Sequence, residues 1–131
     1  FSVFLNIACP KSYQPNKALI SLIKKQKGKI KIFDKKELAV KNSDVVMTDK
    51  IISLNDKVNK KKKLNSFKNF KVDIKTMSLA KKDAIFLHCL PRGSEVTTDV
   101  FLGKQSKVWQ QALNRLYVQK SILLYCFGKL R

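Results

Sequence analysis

The feature that most constrains the fold is an alternation of short strand-like segments with amphipathic, helix-like segments along the whole chain. The strand-like segments are residues 1–7, 29–33, 44–48 and 84–88. The helix-like segments are residues 15–28, 34–40, 57–67, 73–80 and 109–127. Such an alternation is typical of βαβ units, in which parallel strands are joined by helices that cover the sheet. We therefore expect an α/β, Rossmann-like single domain with a mostly parallel sheet and helices on both faces.

The size and hydropathy of the chain fit one globular domain. With 131 residues, 44% of them hydrophobic, it can bury a core of its own. We expect no membrane span, since a span needs about 20 apolar residues in a row. We also expect no signal peptide. Because Phe1 opens directly in a strand-like segment, we interpret the chain as a fragment of a longer cytoplasmic protein.

The cysteines and the histidine argue against disulfide bonds and against a metal site. The three cysteines are an odd number without paired spacing, which fits a reducing compartment. The chain has no Cys-x-x-Cys motif and only one histidine, so the sequence predicts no zinc site and no metal ligands.

The net charge of +19 raises the question of nucleic-acid binding. Nearly all of the positive charge is lysine, spread along the chain, with one dense run at residues 60–63. Aromatic residues are not interleaved with these lysines, as a base-stacking surface would require. We interpret the lysines as solvated surface charge and not as a nucleic-acid-binding surface, while a basic polyanion-binding module stays an alternative.

Two of the predicted strands end in chemically active side chains. One strand runs into Asp49, and another runs into His88 and Cys89. In open parallel sheets, ligands bind beyond the carboxyl ends of the strands. Both ends belong to that edge, so we expect a ligand site there. Pro91 permits a cis peptide, which would turn the Leu90 carbonyl towards a ligand.

Several motifs, in order along the chain, resemble those of the ornithine carbamoyltransferases. The central one is the His-Cys-Leu-Pro turn at residues 88–91, which is followed by Glu-Val-Thr and, in the last long helix, by Asn-Arg. The other matching segments are 8–15 (Ala-Cys-Pro-Lys-Ser-Tyr-Gln-Pro), 44–49 (Asp-Val-Val-Met-Thr-Asp), 83–86 (Asp-Ala-Ile-Phe) and 119–123 (Gln-Lys-Ser-Ile-Leu). Together they cover nearly the whole chain, which is more specific than any one motif.

The resemblance implies a reaction and its partners. In this family, the carbamoyl group of carbamoyl phosphate is transferred to the δ-amine of L-ornithine, which gives L-citrulline and phosphate, a step of arginine biosynthesis. No cofactor is implied, and the full-length parent protein is expected to be a homotrimer.

The resemblance also implies roles for single residues. Asp49 and Ser53 would hold the α-amino group of ornithine, and Leu54 takes the place of a methionine that touches it too. Cys89 would lie beside the reacting δ-amine, and the Leu90 carbonyl would contact the carbamoyl nitrogen.

A further role falls to Arg115, which would polarise the carbamoyl oxygen. A guanidinium at that oxygen stabilises the negative charge that develops during the reaction. Cys89 and Arg115 are therefore the expected catalytic residues. His88 is interpreted as a structural or orienting group and Trp109 as a core residue. We interpret the remaining polar candidates as surface residues: Asp99, Gln111 and Gln119.

The chain departs from the family pattern in two respects. The loop that would bind ornithine, usually Asp-x-Trp-x-Ser-Met-Gly, reads Asp-Lys-Ile-Ile-Ser-Leu-Asn at residues 49–55, and Leu113 replaces a glutamate. A related carbamoyltransferase acting on another amine, such as putrescine, and a non-catalytic paralogue therefore stay open. The phosphate-binding motifs of the family's first domain, Ser-x-Arg-Thr and His-Pro-x-Gln, do not occur in these residues. We expect residues 1–131 to be the ornithine-binding domain, truncated at its N-terminus and inactive alone, with the carbamoyl-phosphate-binding domain absent.

Overall fold

The computed structural model describes residues 3–53, 56 and 59–129, and these form the alternating α/β arrangement that the sequence predicts. The strands are β1 (Phe4–Ala8), β2 (Lys29–Phe33), β3 (Val45–Thr48) and β4 (Ile85–His88). The helices are α1 (Lys17–Lys25), α2 (Lys36–Val40), α3 (Lys60–Phe67), α4 (Ile74–Met77), α5 (Thr98–Phe101) and α6 (Val108–Cys126). Short 3₁₀ turns cover Lys11–Tyr13 and Lys68–Phe70.

The strands pair in parallel, as expected, and form two ladders within the described residues. β1 pairs with β2 from Phe4 opposite Lys29 to Ala8 opposite Phe33. β3 pairs with β4, and their last pair is Thr48 opposite His88. The residue after each of those two strands is therefore placed at the same edge of the ladder.

A groove of about 760 Å³ lies between the two ladders and is lined by residues of both β1 and β3. Apolar side chains on these strands are largely exposed, with Phe4 at 73% and Met47 at 67% of their full accessible surface. The sequence predicts one mostly parallel sheet; in the described part of the chain, β1 and β3 are instead the unpaired edges of two ladders.

The core lies on the β3–β4 side, around the fully buried Phe86. Its backbone N–H donates to the carbonyl of Gln105 at 2.8 Å, and its carbonyl accepts from the N–H of Lys107 at 2.9 Å. These bonds fix the segment that leads into α6 against β4. The other members of the cluster are Val46, Val72, Met77, Val96, Val100, Phe101 and Val108.

Polar side chains define where several helices begin. Asp73 caps α4, because its Oδ1 accepts from the N–H of Thr76 at 2.8 Å. Asn59 and Asn16 cap α3 and α1 in the same way. The spacing of Asp34 and Glu37 in the sequence predicts a capping box, but this prediction is wrong, since α2 starts after Lys35 without a side-chain cap.

Helix α6 is the longest element and is mostly exposed. Val108 is its one buried residue. The prediction that Trp109 is a core residue is wrong: its side chain is 60% exposed and packs edge-on against Phe101, with the ring centres 5.8 Å apart. Within the described residues, no helix is long and apolar enough to span a membrane.

Candidate functional site

The carboxyl ends of β3 and β4 bring Asp49 and Cys89 into direct contact. These two residues directly follow the last ladder pair, Thr48 and His88. The Cys89 thiol donates a hydrogen bond to Asp49 Oδ1, with the sulfur and oxygen 2.7 Å apart. The same oxygen accepts from the backbone N–H of Lys50 at 2.7 Å. The predicted meeting of two strand ends at one edge is therefore present, and both side chains are exposed to a ligand.

In the Asp49–Cys89 pair, the thiol is the hydrogen-bond donor and the carboxylate is the acceptor. The hydrogen bond from Cys89, followed by that from the Lys50 amide, holds the pKa of Asp49 below its usual range. Partial burial and the hydrogen bond to Asp49 raise the pKa of the Cys89 thiol. At neutral pH, Asp49 is therefore ionised and Cys89 is protonated. Both contacts to Asp49 use Oδ1, so within the described residues Oδ2 keeps its lone pairs for a cationic ligand.

We expect Cys89 to react with iodoacetamide only at a higher pH than an ordinary thiol, because the reactive thiolate forms above the raised pKa. The substitution Asp49→Asn removes the neighbouring negative charge, so the midpoint of the reaction should move to lower pH. Peptide mass spectrometry separates Cys89 from the exposed Cys126, which is an internal control. The same midpoint in the variant would show that the carboxylate does not influence the thiol.

The loop after Asp49 is tied to helix α3. The backbone N–H of Ser53 donates to Asp56 Oδ2 at 2.9 Å, and Lys63 Nζ donates to the same oxygen at 2.7 Å. Ser53 is thus anchored beside the site, but it is not in hydrogen-bond contact with Asp49 or Cys89 in the part of the chain described. Leu54, a predicted substrate contact, lies outside the described residues.

The lysine run at residues 60–63 begins α3 and is not purely a solvated surface. The side chain of Lys63 is only 16% exposed and forms an ion pair with Asp56. Its ammonium also lies 5.9 Å from the centre of the Tyr13 ring, on the side of the groove. Lys63 therefore stabilises the loop next to the site through its ion pair with Asp56. Its place in a lysine run does not indicate this role.

The turn after Cys89 contains a cis peptide bond between Leu90 and Pro91, the geometry that a proline at this position permits. Leu90 is exposed at this turn. The turn rests on a buried pair, in which His88 Nε2 lies 2.8 Å from Glu95 Oε1. The sequence pointed to His88 as an orienting group but did not identify Glu95 as its partner.

Helix α6 meets the strand end through Gln111 and carries Arg115 one turn further on. Gln111 Oε1 accepts from the backbone N–H of His88 at 3.0 Å. Arg115 follows by four residues and lies on the same helix face, about 6 Å along the axis. It is exposed and forms no ion pair or hydrogen bond with the residues described. The structure does not bring Arg115 into contact with Asp49 or Cys89.

The interpretation of Gln111 as a simple surface residue misses its contact with His88, which joins positions 23 residues apart. Its spacing of four residues from Arg115 on a helix is the one signal in the sequence that could have linked it to the site. In residues 3–53, 56 and 59–129, no group of three or more His, Cys, Asp or Glu side chains could hold a metal ion.

Residues 1–126 match the family model described as the Asp/Orn binding domain of aspartate/ornithine carbamoyltransferase. The chain belongs to this carbamoyltransferase family. Among curated relatives, the ornithine carbamoyltransferase of Methanococcus maripaludis is 47% identical over 129 residues, covering 92% of this chain and 42% of that protein. That of Rhodopseudomonas palustris is 47% identical over 130 residues, covering 98% of the chain and 42% of that protein.

Solved carbamoyltransferase structures share the fold of this domain. The anabolic ornithine carbamoyltransferase from Campylobacter jejuni superposes with a TM-score of 0.86 at 37% identity, covering 98% of this chain and 44% of that chain. The enzyme from Pyrococcus furiosus superposes with a TM-score of 0.83 at 32% identity, covering 98% and 43%. The chain therefore spans less than half the length of the carbamoyltransferases that it matches.

Proposed function

We propose that the full-length protein containing this domain is an ornithine carbamoyltransferase. It would transfer the carbamoyl group of carbamoyl phosphate to the δ-amine of L-ornithine and release L-citrulline and phosphate. The observation that carries the proposal is the Asp49–Cys89 pair at the carboxyl ends of two parallel strands. The ornithine carbamoyltransferase names of the relatives support ornithine as the second substrate.

The proposed binding mode uses opposite charges and directed hydrogen bonds. The Asp49 carboxylate and the Ser53 hydroxyl hold the α-ammonium group of ornithine, with Leu54 beside its carbon chain. A carboxylate is suited to this task because charge-assisted hydrogen bonds to an ammonium group are short and strong. Held in this way, ornithine directs its δ-amine towards Cys89.

The proposed reaction begins when the neutral δ-amine attacks the carbamoyl carbon and forms the new C–N bond. The bond from that carbon to the phosphate oxygen then breaks, and phosphate leaves with the electron pair and takes up the proton that the amine releases. Cys89 orients the amine, the Leu90 carbonyl accepts from the carbamoyl nitrogen, and Arg115 stabilises the negative charge that builds on the carbamoyl oxygen.

The phosphate group of carbamoyl phosphate must be bound by residues outside this chain. Binding a dianion takes several backbone N–H groups at a helix start together with arginines, as in other phosphate sites. We propose that the rest of the full-length protein provides this domain, that the enzyme is a cytoplasmic homotrimer, and that the 131 residues are inactive by themselves.

The test is an assay of the full-length protein with carbamoyl phosphate and either L-ornithine or putrescine. We expect citrulline to form from ornithine, with much slower carbamoylation of putrescine, because putrescine lacks the α-carbon substituents that the 49–55 loop would recognise. If the protein carbamoylates putrescine but not ornithine, then putrescine and not ornithine is its substrate. No turnover of either amine would overturn the proposed activity.

A further inference from the structure

A buried histidine–glutamate pair lies directly beneath the turn that carries Cys89. His88 and Glu95 are only 1% and 2% exposed, and His88 Nε2 and Glu95 Oε1 are 2.8 Å apart. The pair stands on either side of the exposed turn at residues 89–94, and neither residue has a role in the proposed reaction.

The polar atoms of this pair hold both ends of the turn. At its start, His88 Nδ1 contacts the carbonyl oxygen of Cys89. At its end, the backbone N–H of Gly93 donates to Glu95 Oε1 at 2.5 Å. The same carboxylate oxygen therefore contacts both His88 and Gly93, and this closes the turn from below.

The rest of the protein holds the pair in place. The His88 ring packs edge-on against Phe101, with the ring centres 5.9 Å apart, and its backbone N–H is bound by Gln111 at 3.0 Å. On the other side, the carbonyl of Glu95 accepts from the N–H of Val72 at 2.9 Å. The two side chains are thus fixed to β4, α6 and the core.

A buried carboxylate is an expensive way to stabilise a core, because its desolvation opposes the hydrogen bonds that it makes, and apolar residues of similar volume often serve at least as well. What apolar residues cannot provide is directed hydrogen bonds to two points of the backbone. Burial tends to raise the pKa of the Glu95 carboxyl, but hydrogen bonds from the backbone amides of Gly93 and Glu95 and from the His88 ring keep that pKa below its usual range, so the carboxylate is charged at neutral pH.

We propose that His88 and Glu95 are positioning residues that form a clasp, through which the Cys89 thiol and the Leu90 carbonyl are held in reactive orientation. The inference rests on the proposed transferase function for its kinetic consequences. It does not rest on that function for its effect on the thiol. The clasp is needed because the turn itself is exposed and a displacement of about 1 Å at a reacting group can lower a rate by about 100-fold.

The test compares Glu95→Ala with Glu95→Gln in the full-length protein. Both variants remove the negative charge, but glutamine keeps an oxygen for His88 and for the Gly93 N–H. We expect Glu95→Ala to lower kcat by about 10- to 100-fold, and Glu95→Gln to stay within about threefold of the wild type. The rate of Cys89 alkylation at fixed pH should differ at least about threefold between the two variants.

A second variant keeps every polar group and does not depend on the stability of Glu95→Ala. A Cβ atom built on Gly93 would lie 2.6 Å from Glu95 Oε2. The added methyl group of Gly93→Ala therefore pushes the Glu95 carboxylate out of its position beneath the turn. We expect kcat to fall about tenfold with little change in the melting temperature. Ser94→Ala, at the exposed next residue, is the matched control and should behave as the wild type.

A purely structural role for the pair gives a different result. Glu95→Ala would then lower the melting temperature, but the folded variant, together with Gly93→Ala, would keep the wild-type kcat and the wild-type alkylation rate of Cys89. That outcome would overturn the clasp. If the wild-type protein makes no citrulline, the transferase proposal fails, and the alkylation rates of the three variants still decide whether the clasp positions the thiol.

Discussion

Replacing Arg115 by alanine in the full-length protein is expected to lower kcat by about 100- to 1000-fold, the cost of removing one preorganised donor to a developing oxyanion. The KM for ornithine should change little, because Arg115 is assigned to the carbamoyl oxygen and not to the amino acid. Steady-state citrulline formation at varied concentrations of each substrate measures both quantities.

The position of Arg115 supports this expectation. It lies one helical turn after Gln111, whose side chain is bonded to the backbone of His88, and it has no ion-pair partner among the described residues. Its guanidinium is thus exposed and unpaired among the described residues, one helical turn from the residue that contacts the end of β4. Contact with the substrate requires the guanidinium to reach from α6 towards the bound carbamoyl group.

Two further variants distinguish the effect of the guanidinium geometry from the effect of positive charge alone. Arg115→Lys keeps the positive charge but loses the planar fork, so we expect it to recover only part of the rate. Lys120→Ala removes a charge elsewhere on α6 and should leave kcat unchanged. If Arg115→Ala stays within about threefold of the wild type, the assignment of Arg115 to the carbamoyl oxygen is incorrect.

The second large effect concerns stability. Replacing Phe86 by alanine is expected to lower the free energy of unfolding by about 3–5 kcal/mol, because it leaves a cavity in the centre of the core. Phe86 is fully buried, and its backbone anchors the segment that leads into α6. A small domain is stable by only about 5–15 kcal/mol, so a large part of that stability would be lost.

Urea unfolding of the 131-residue chain, followed by circular dichroism, measures the change. Phe127→Ala is a matched control, since Phe127 is 75% exposed, and it should cost less than about 0.5 kcal/mol. A loss below about 1 kcal/mol for Phe86→Ala would show that the centre of the core lies elsewhere.

Local patterns were sufficient to predict the strands and the edge at which Asp49 meets Cys89. Parallel strands carry their carboxyl ends to one side, so two reactive residues that each follow a strand must come close when those strands are neighbours. Hydrophobic periodicity also located α6 to within one residue at each end, because a long apolar repeat is insensitive to local exceptions.

The sequence could not predict the contacts that surround this pair. The bonds of His88 to Glu95 and to Gln111 join different elements, and no periodicity relates such positions. Trp109 was placed in the core from its hydrophobicity, but the first turn of α6 buries Val108 and leaves the indole at the surface. The separation of the strands into two ladders depends on long-range packing, which the pattern of single segments does not contain.

The pairing register of β3 and β4 constrains how such a domain can diversify. The distance between the acid and the thiol depends on the hydrogen bonds that pair Thr48 with His88, and not on the chain that connects β3 to β4. Insertions and exchanges in that connection can therefore reshape the surface beside the strand ends while Asp49 and Cys89 keep their spacing. A single residue inserted within either strand would shift the pair by about 3.3 Å and turn one side chain to the opposite face.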